Sequence, residues 1–425
     1  MRIAVWGTGQ TGLATAKEMI RQGHEVRLVD ERAPTGSLEL EVKILDEGDI
    51  AWADLVIPSP GVPRFHPLLL KAKKVLSEIE VAMSLMTGTL IAITGSNGKT
   101  TTTTLIHEVL VAAGLDAGIG GNISPPLITL AQRNPRYIVA EISSFQLEWI
   151  EGFRPHIGIC LNITPDHLDR YPTMEEYTFF KKVMFKNQTE SDIAVVSDDD
   201  PLLREIPGRA RRAGFSFGRP ASADGAYIEN SRVFFQGSIE GEGPRLPEGP
   251  HISQGLKEDM MAAALTARLL GVDSRCAEEV FARFKGIHHR FEFVAVRGGV
   301  TFIDDSKATN VGAVDTALAG MAGPVILILG GKDKGGDFSA IVSRHRGKIR
   351  KCYVIGEATE RIMGEVKGIV EAQEASDMEH AIRYAYEGAS PGDTVLLSPG
   401  CASFDQFRSY AHRGDVFQEC VRAIT

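Results

Sequence analysis

Ile91-Ala92-Ile93-Thr94-Gly95-Ser96-Asn97-Gly98-Lys99-Thr100-Thr101 is the stretch whose reading decides the fold. A short apolar run ends in a glycine turn, a lysine and a run of threonines. Leu105, Ile106, Val109 and Leu110 then recur at helical spacing. The pattern predicts strand, loop, helix. Bare amides of such a loop, set at a helix N-terminus, favour bound phosphate. Lys99 is placed to reach the β- and γ-phosphates, and the Thr100 hydroxyl to hold Mg²⁺. The strict P-loop pattern asks for glycine five residues before Gly98, where Ile93 stands, so Thr94-Gly95 open a variant turn. A plain glycine turn capped by threonine explains neither the Lys-Thr pair behind Gly98 nor the strand before it.

Around this loop the chain has 425 residues, enough for two to four domains with cores of their own. Hydrophobic content of 43% and charged content of 24% are ordinary for a globular protein. A net charge of −9 argues against a nucleic-acid partner. The five cysteines lie far apart without a C-x-x-C pair, which fits a reducing compartment and no structural zinc. No apolar run reaches membrane-spanning length, and Met1-Arg2 leads directly into a strand pattern. The expectation is a cytoplasmic monomer without membrane insertion.

Upstream, residues 1–89 open with strand Ile3–Trp6, then Gly7-Thr8-Gly9-Gln10-Thr11-Gly12, a helix and a second strand ending at Asp30. This is the shape of a dinucleotide-binding unit. A nicotinamide enzyme is one reading, and the diphosphate of another nucleotide is a second. Ser59-Pro60-Gly61 follow a further strand, where open α/β sheets bind ligands.

Downstream, residues 90–286 deliver Glu141 at the end of strand Tyr137–Ala140, well placed for Mg²⁺ beside a P-loop. Another strand delivers Asp166, His167, Asp169 and Arg170, and a helix follows with Lys181-Lys182, a pair more often solvated than catalytic. In residues 287–425, Ile287–Glu292 read as a hinge. Three later strands end in loops rich in glycine and charge, at Asp304–Asn310, Gly330–Phe338 and Ser398–Asp405. Such ends converge on one sheet edge in a doubly wound fold.

Several motifs, taken in order, resemble the Mur ligase family: Thr94–Thr101, Gly121-Asn122, Glu141–Glu148, Asn162–Tyr171, His289-Arg290, Asp305–Asn310 and Ser398–Phe407. The sequences Ser-Ser-Phe-Gln-Leu-Glu and Asp-Ser-Lys-Ala-Thr-Asn are similar to the family's D-glutamate-adding members. The resemblance implies an α/β protein of three domains: a Rossmann-like UDP-substrate domain (1–89), a central P-loop ATPase-like domain with a parallel sheet (90–286), and a Rossmann-like amino-acid domain (287–425). It implies an ATP-dependent acid–amino-acid ligase working through an acyl phosphate, with UDP-N-acetylmuramoyl-L-alanine and D-glutamate as substrates.

By the same resemblance Lys99, His167, Lys182 and Lys307 act at the reacting centre. ATP is expected on Gly95, Asn97, Gly98, Lys99, Thr100, Thr101, Arg290 and Asp305. Thr100 and Glu141 would bind one Mg²⁺, and His167 with a carbamylated Lys182 a second. The UDP substrate would meet Gln10, Thr11, Arg32, Ser59, Pro60, Gly61, Asn122 and His167; D-glutamate would meet Thr309, Lys334, Ser403, Phe404 and Tyr410. Three positions depart from the family pattern. Glu31 stands where threonine is frequent, and Tyr410 replaces a phenylalanine. Lys257-Glu258-Asp259-Met260-Met261 replace a His-Asn-x-x-Asn run whose second Asn contacts adenine, a contact Met261 cannot make. Two other readings remain open at this point: a sibling ligase with another acceptor amino acid, and a nucleotide-binding relative without catalysis.

Overall fold

A computed structural model describes residues 1–32, 39–167, 170–249, 252–321, 323–332 and 335–424. Among these residues the strands assemble into three sheets. The first contains β1 (Arg2–Trp6), β2 (Glu25–Asp30), β3 (Val42–Ile44) and β4 (Leu55–Pro58), parallel, in the order β3-β2-β1-β4. The central strands β1 and β4 are apolar and buried from Ile3 to Trp6 and throughout β4, as expected where both faces are covered, whereas β2 and β3 toward the edge carry charged residues.

The second sheet is built on β5 (Thr89–Thr94), β6 (Ala117–Gly121), β7 (Tyr137–Glu141), β8 (Ile157–Cys160), β9 (Ile193–Ser197), β10 (Arg211–Ser216), β11 (Asp224–Glu229), β12 (Arg232–Gln236) and β13 (Gly241–Arg245). Its order is β13-β12-β11-β10-β9-β8-β5-β7-β6, parallel except for the ribbon β11-β12-β13. Strand β5 lies between β7 and β8, so its carboxyl end emerges between theirs. That placement sets the glycine loop beside Glu141 on one side and Leu161-Asn162 on the other.

The third sheet contains β14 (Glu292–Arg297), β15 (Val300–Asp304), β16 (Val325–Gly330), β17 (Ile349–Ile355), β18 (Glu371–Glu374) and β19 (Thr394–Leu397), in the order β14-β15-β19-β16-β17-β18. Only the β14–β15 pair is antiparallel. Neighbouring strands β15, β19 and β16 therefore present the three loops that the sequence loads with glycine and charge.

The described residues divide into two compact units, one of residues 1–246 and 258–282, the other of 247–257 and 283–425. The first unit holds two sheets because one apolar core runs through both: Ile3, Val5 and Ile57 cluster with Ile79, Leu127, Ile138 and Ile142. The helix Glu78–Ser84 docks there, with the Ile128 amide donating to Glu78 Oε1 at 2.6 Å. Burial pushes the Glu78 carboxyl up to about 7. No helix among the described residues is long and apolar enough to cross a membrane.

Candidate active site

The loop Gly95–Gly98 connects β5 to the helix Lys99–Ala112, and Gly98 turns the chain at φ +82°. Only glycine is comfortable there, and a Cβ would meet Asp259 Oδ1 at 2.1 Å. The loop is braced from β8: the Asn97 amide donates to Asn162 Oδ1 at 2.9 Å, and the Thr164 amide to Ser96 Oγ at 2.9 Å. Ser96 Oγ also meets the Tyr177 hydroxyl at 3.0 Å. Lys99 Nζ donates to the Gly95 and Ser96 carbonyls, at 2.8 and 2.9 Å. Thr100 is buried, with Thr101 partly so.

Glu141, at the tip of β7, is 2% exposed. Its Oε1 accepts from Asn122 Nδ2 at 2.7 Å, while its Oε2 is buried without a hydrogen-bond partner among the described residues. A buried carboxylate oxygen without a donor fits a cation ligand, and Glu141 with Thr100 is the donor set that hard divalent cations take. His167 lies across the loop region in the left-handed region at φ +54°, its ring 4.7 Å from that of Phe145. The motif behind it is locked by Arg170, which grips Glu148 at 2.8 and 2.6 Å, and by the Tyr171 hydroxyl on the same carboxylate at 2.8 Å.

The lysine that reaches the loop is Lys181. It is 2% exposed, donates to the Gly95 carbonyl at 2.7 Å and sits 4.6 Å from the centre of the Tyr177 ring. Burial first, then the Lys99 charge, lowers its ammonium to about 7. Lys182, the residue expected here, is half-buried on the next helical position. The helix Met174–Lys182 turns Tyr177, Phe180 and Lys181 inward together. That spacing, Lys181 four residues after Tyr177, was the available signal.

Among the UDP-substrate candidates, Gln10 Nε2 donates to Ser124 Oγ at 2.8 Å. Thr11, Ser59 and Pro60 are partly buried, while Arg32, Gly61 and Asn122 are exposed. Pro58, Ser59, Pro60, Ser77, Glu78, Gln146, Trp149 and Arg170 surround a small cavity. Ser59 Oγ, Ser77 Oγ, Glu78 Oε2 and Trp149 Nε1 are buried there without partners among the described residues. Asp30, the acid after the second strand, accepts from the Thr8 amide and hydroxyl at 2.8 and 2.9 Å. Glu31 faces His66 at 3.4 Å.

In the replaced segment, Met261 is fully buried, so its side chain is closed to a base. Asp259 is the residue turned to the glycine loop, accepting from Thr102 Oγ1 at 2.9 Å. Burial, then Asp199 and Asp200, push the Glu258 carboxyl up to about 7.

In the second unit the loops after β15, β16 and β19 are stitched together. Ser398 Oγ donates to Asp305 Oδ2 at 2.9 Å, the Gly400 amide to the Ala308 carbonyl at 2.9 Å, and the Lys332 amide to the Ala402 carbonyl at 2.8 Å. Burial pushes the Asp305 carboxyl up to about 7. Lys307 is exposed, its ammonium 5.3 Å from the Tyr410 ring, and Thr309 follows on the same loop. Ser403 is buried, and Phe404 is 70% exposed. Arg290 closes a turn, its amide donating to the Ile287 carbonyl at 2.7 Å. Lys334 lies outside the described residues.

Sequence reasoning missed Arg413. Fully buried in the helix Tyr410–Ala423, it donates to Ser306 Oγ at 3.0 Å and to the carbonyls of Ser306, Gly330 and Cys401 at 2.8, 3.4 and 3.1 Å. One side chain thus ties all three loops. It stands four residues before Phe417, which stands four before Val421, and that buried stripe marks it.

A phosphate-type loop with a buried carboxylate and a buried lysine, on a three-sheet α/β scaffold, defines a P-loop nucleotide enzyme. Models of the Mur ligase middle domain and of the Mur ligase glutamate ligase domain match residues 93–239 and 289–401. The chain is 40% identical to the UDP-N-acetylmuramoylalanine–D-glutamate ligase of Geobacter metallireducens, over 99% of this chain and 97% of that one. It is also 40% identical to the ligase of the same name from Trichlorobacter lovleyi, covering 100% and 99%. Among solved structures, the UDP-N-acetylmuramate-alanine ligase of Thermotoga maritima shares the fold at TM-score 0.60 and 17% identity, covering both chains fully. The chain belongs to the Mur ligase family.

Proposed function

We propose that this protein is an ATP-dependent acid–amino-acid ligase that adds D-glutamate to UDP-N-acetylmuramoyl-L-alanine in peptidoglycan precursor synthesis. The observation that carries the reading is full-length identity of 40% to ligases of that name. In the reaction a carboxylate oxygen of the alanyl group attacks the γ-phosphorus of ATP, and ADP leaves. The amine of D-glutamate then attacks the acyl carbon, phosphate leaves, and a proton is released as the amide forms.

Both reactants are anions, so the main task of the residues is charge cancellation and positioning. Lys99 and the loop amides are read as phosphate holders, and Arg290 and Asp305 as nucleotide residues by the family resemblance. Thr100 and Glu141 would hold one Mg²⁺, which would supply positive charge at the phosphates. His167 would belong to a second cation position, whose carbamylated lysine is read as Lys181 rather than Lys182. An ammonium lowered to about 7 is neutral often enough to capture CO₂, and the carbamate so formed is a carboxylate-like ligand. Thr309, Ser403, Phe404 and Tyr410, with Lys307 nearby, form the D-glutamate side, and Lys334 belongs to the same reading. The segment limits 1–89, 90–286 and 287–425 and a cytoplasmic site of action complete it.

The test is an acceptor screen with D-glutamate, L-glutamate, meso-diaminopimelate and D-alanine, scored by ADP release that depends on the UDP-sugar. D-glutamate should support turnover and the others should not. Equal rates with both glutamate enantiomers, or a preference for another acceptor, would reject the assignment.

A further inference from the structure

The turn that opens the third sheet brings two histidines and an aspartate to one point. His289 takes φ +59°, a turn position that glycine or asparagine usually fills. That bend lays the adjacent rings of His288 and His289 side by side, centroids 3.7 Å apart. Each ring is held through Nδ1 by a carboxylate: His289 by Asp304 Oδ2 at 2.7 Å, His288 by Glu292 Oε2 at 3.0 Å. An ionised carboxylate only accepts, so each Nδ1 carries a proton, and in the neutral ring each Nε2 presents a lone pair. Both Nε2 atoms face the same oxygen, Asp415 Oδ1, at 3.4 Å for His289 and 3.6 Å for His288. The His289 side chain is 2% exposed, and its buried Nε2 has no hydrogen-bond partner among the described residues.

With both rings neutral, three acceptor atoms converging in this way repel one another. Against the pull of burial, the bond to Asp304 and the charges of Asp304, Asp415 and Glu292 raise His289, so the repulsion is relieved either by a proton on its Nε2 or by a metal ion between the three atoms. Ligands about 2.0–2.2 Å from a tetrahedral zinc-type ion stand about 3.3–3.6 Å from each other, and the two measured edges fall in that range. The supports are those of histidine–metal centres, where a carboxylate fixes the tautomer and orientation of each ring. Gln418 Nε2 holds both supports, at 2.8 Å to Glu292 Oε2 and 2.9 Å to Asp304 Oδ2. Gly414 lets the His289 ring lie against the last helix, since a Cβ there would meet Nδ1 at 2.0 Å.

We propose that His288, His289 and Asp415 bind a divalent transition-metal ion of the zinc type, with a fourth position open to water. Two imidazoles select such an ion over Mg²⁺, which takes oxygen ligands. The site is therefore separate from the phosphate-bound cation of the loop. A bound ion ties the turn to the helix Tyr410–Ala423.

The full chain, stripped with a chelator and freed of it, is titrated with Co²⁺ and Zn²⁺ at slightly alkaline pH. The expected result is the intense visible spectrum of tetrahedral Co²⁺, bleached by one equivalent of Zn²⁺ and indifferent to Mg²⁺. His288→Ala and Asp415→Asn, at exposed positions, should weaken binding on the order of 100-fold, and Glu292→Gln about 10–100-fold. His167→Ala, in the other unit, should leave the spectrum unchanged. A parallel thermal melt confirms that each variant is folded. Absence of the tetrahedral spectrum, or equal affinity in the wild type, His288→Ala and Asp415→Asn, overturns the proposal and assigns the cluster to imidazolium–carboxylate pairing.

Discussion

Lys181 and Lys182 are neighbours in sequence and differ in everything that governs chemistry. One is sealed against the glycine loop, its ammonium lowered to about 7; the other lies half-open on the next helical position. Lys181→Ala should abolish ADP formation while leaving the thermal transition within a few degrees, because removing a buried charge offsets the lost packing. Short carboxylic acids should restore part of the activity by standing in for a carbamate. Lys182→Ala should keep most of its turnover. Full activity in Lys181→Ala, or loss only in Lys182→Ala, would reverse the assignment. The pair shows what a sequence hides at this scale. The loop Gly95–Thr101 was legible because its chemistry is local: the donors, the lysine and the hydroxyl are consecutive. Which of two adjacent lysines turns inward depends on helix phase, which only the buried set Tyr177, Phe180 and Lys181 fixes. Met261 is the reverse case: the sequence reading already denied it the base contact, and its side chain is packed entirely inside the unit.

Elements carry the next level of consequence. The helix Glu78–Ser84 places a carboxyl where water does not reach, and its Oε2 has no partner among the described residues. The group prefers to be protonated in the folded state, up to about 7, against 4.5 as its ordinary value. Its stabilising contribution is full below pH 4.5 and is lost as pH rises through 7. Glu78→Gln keeps the shape and the acceptor for the Ile128 amide without the charge. Its melting temperature should match the wild type near pH 5 and exceed it at pH 8, where the gain should be about 2–3 kcal/mol. A shift of the same size at both pH values would refute this origin. In the second unit, Arg413 is the comparable keystone, a buried guanidinium on three carbonyls and a hydroxyl. Arg413→Ala leaves those carbonyls without their donor and should cost about 3–5 kcal/mol. Arg413→Lys should recover little of it, since an ammonium lacks the planar fork. Chemical denaturation of both variants measures this directly. The element order itself was readable, because strand ends loaded with glycine and charge mark the carboxyl edge of a parallel sheet. The stitching of those ends by a residue 107, 83 and 12 positions later in the chain was not, since it joins positions that share no local pattern.

For the whole molecule, the number of cooperative bodies follows from where apolar cores are continuous. Two sheets share one core in the first unit, through Ile79, Leu127 and Ile142, although the sequence shows them as two nucleotide-binding patterns with a break near residue 89. The third sheet has its own cores on its two faces, around Leu327 and Val354 on one and Phe302 and Val395 on the other. Each core is large enough to unfold as a unit, and ligands stabilise only the body that binds them. Calorimetry of the full chain should therefore resolve two transitions rather than three. Glu78→Gln at pH 8 should move one of them upward and leave the second in place, whereas Arg413→Ala should lower only the second. An ADP-free protein given UDP-N-acetylmuramoyl-L-alanine should show its rise in the same transition that Glu78→Gln moves, because Ser59, Asn122 and Glu78 all belong to the first unit. Three separable transitions, or a shift of both by either single substitution, would show that the cores do not set the cooperative units in this chain.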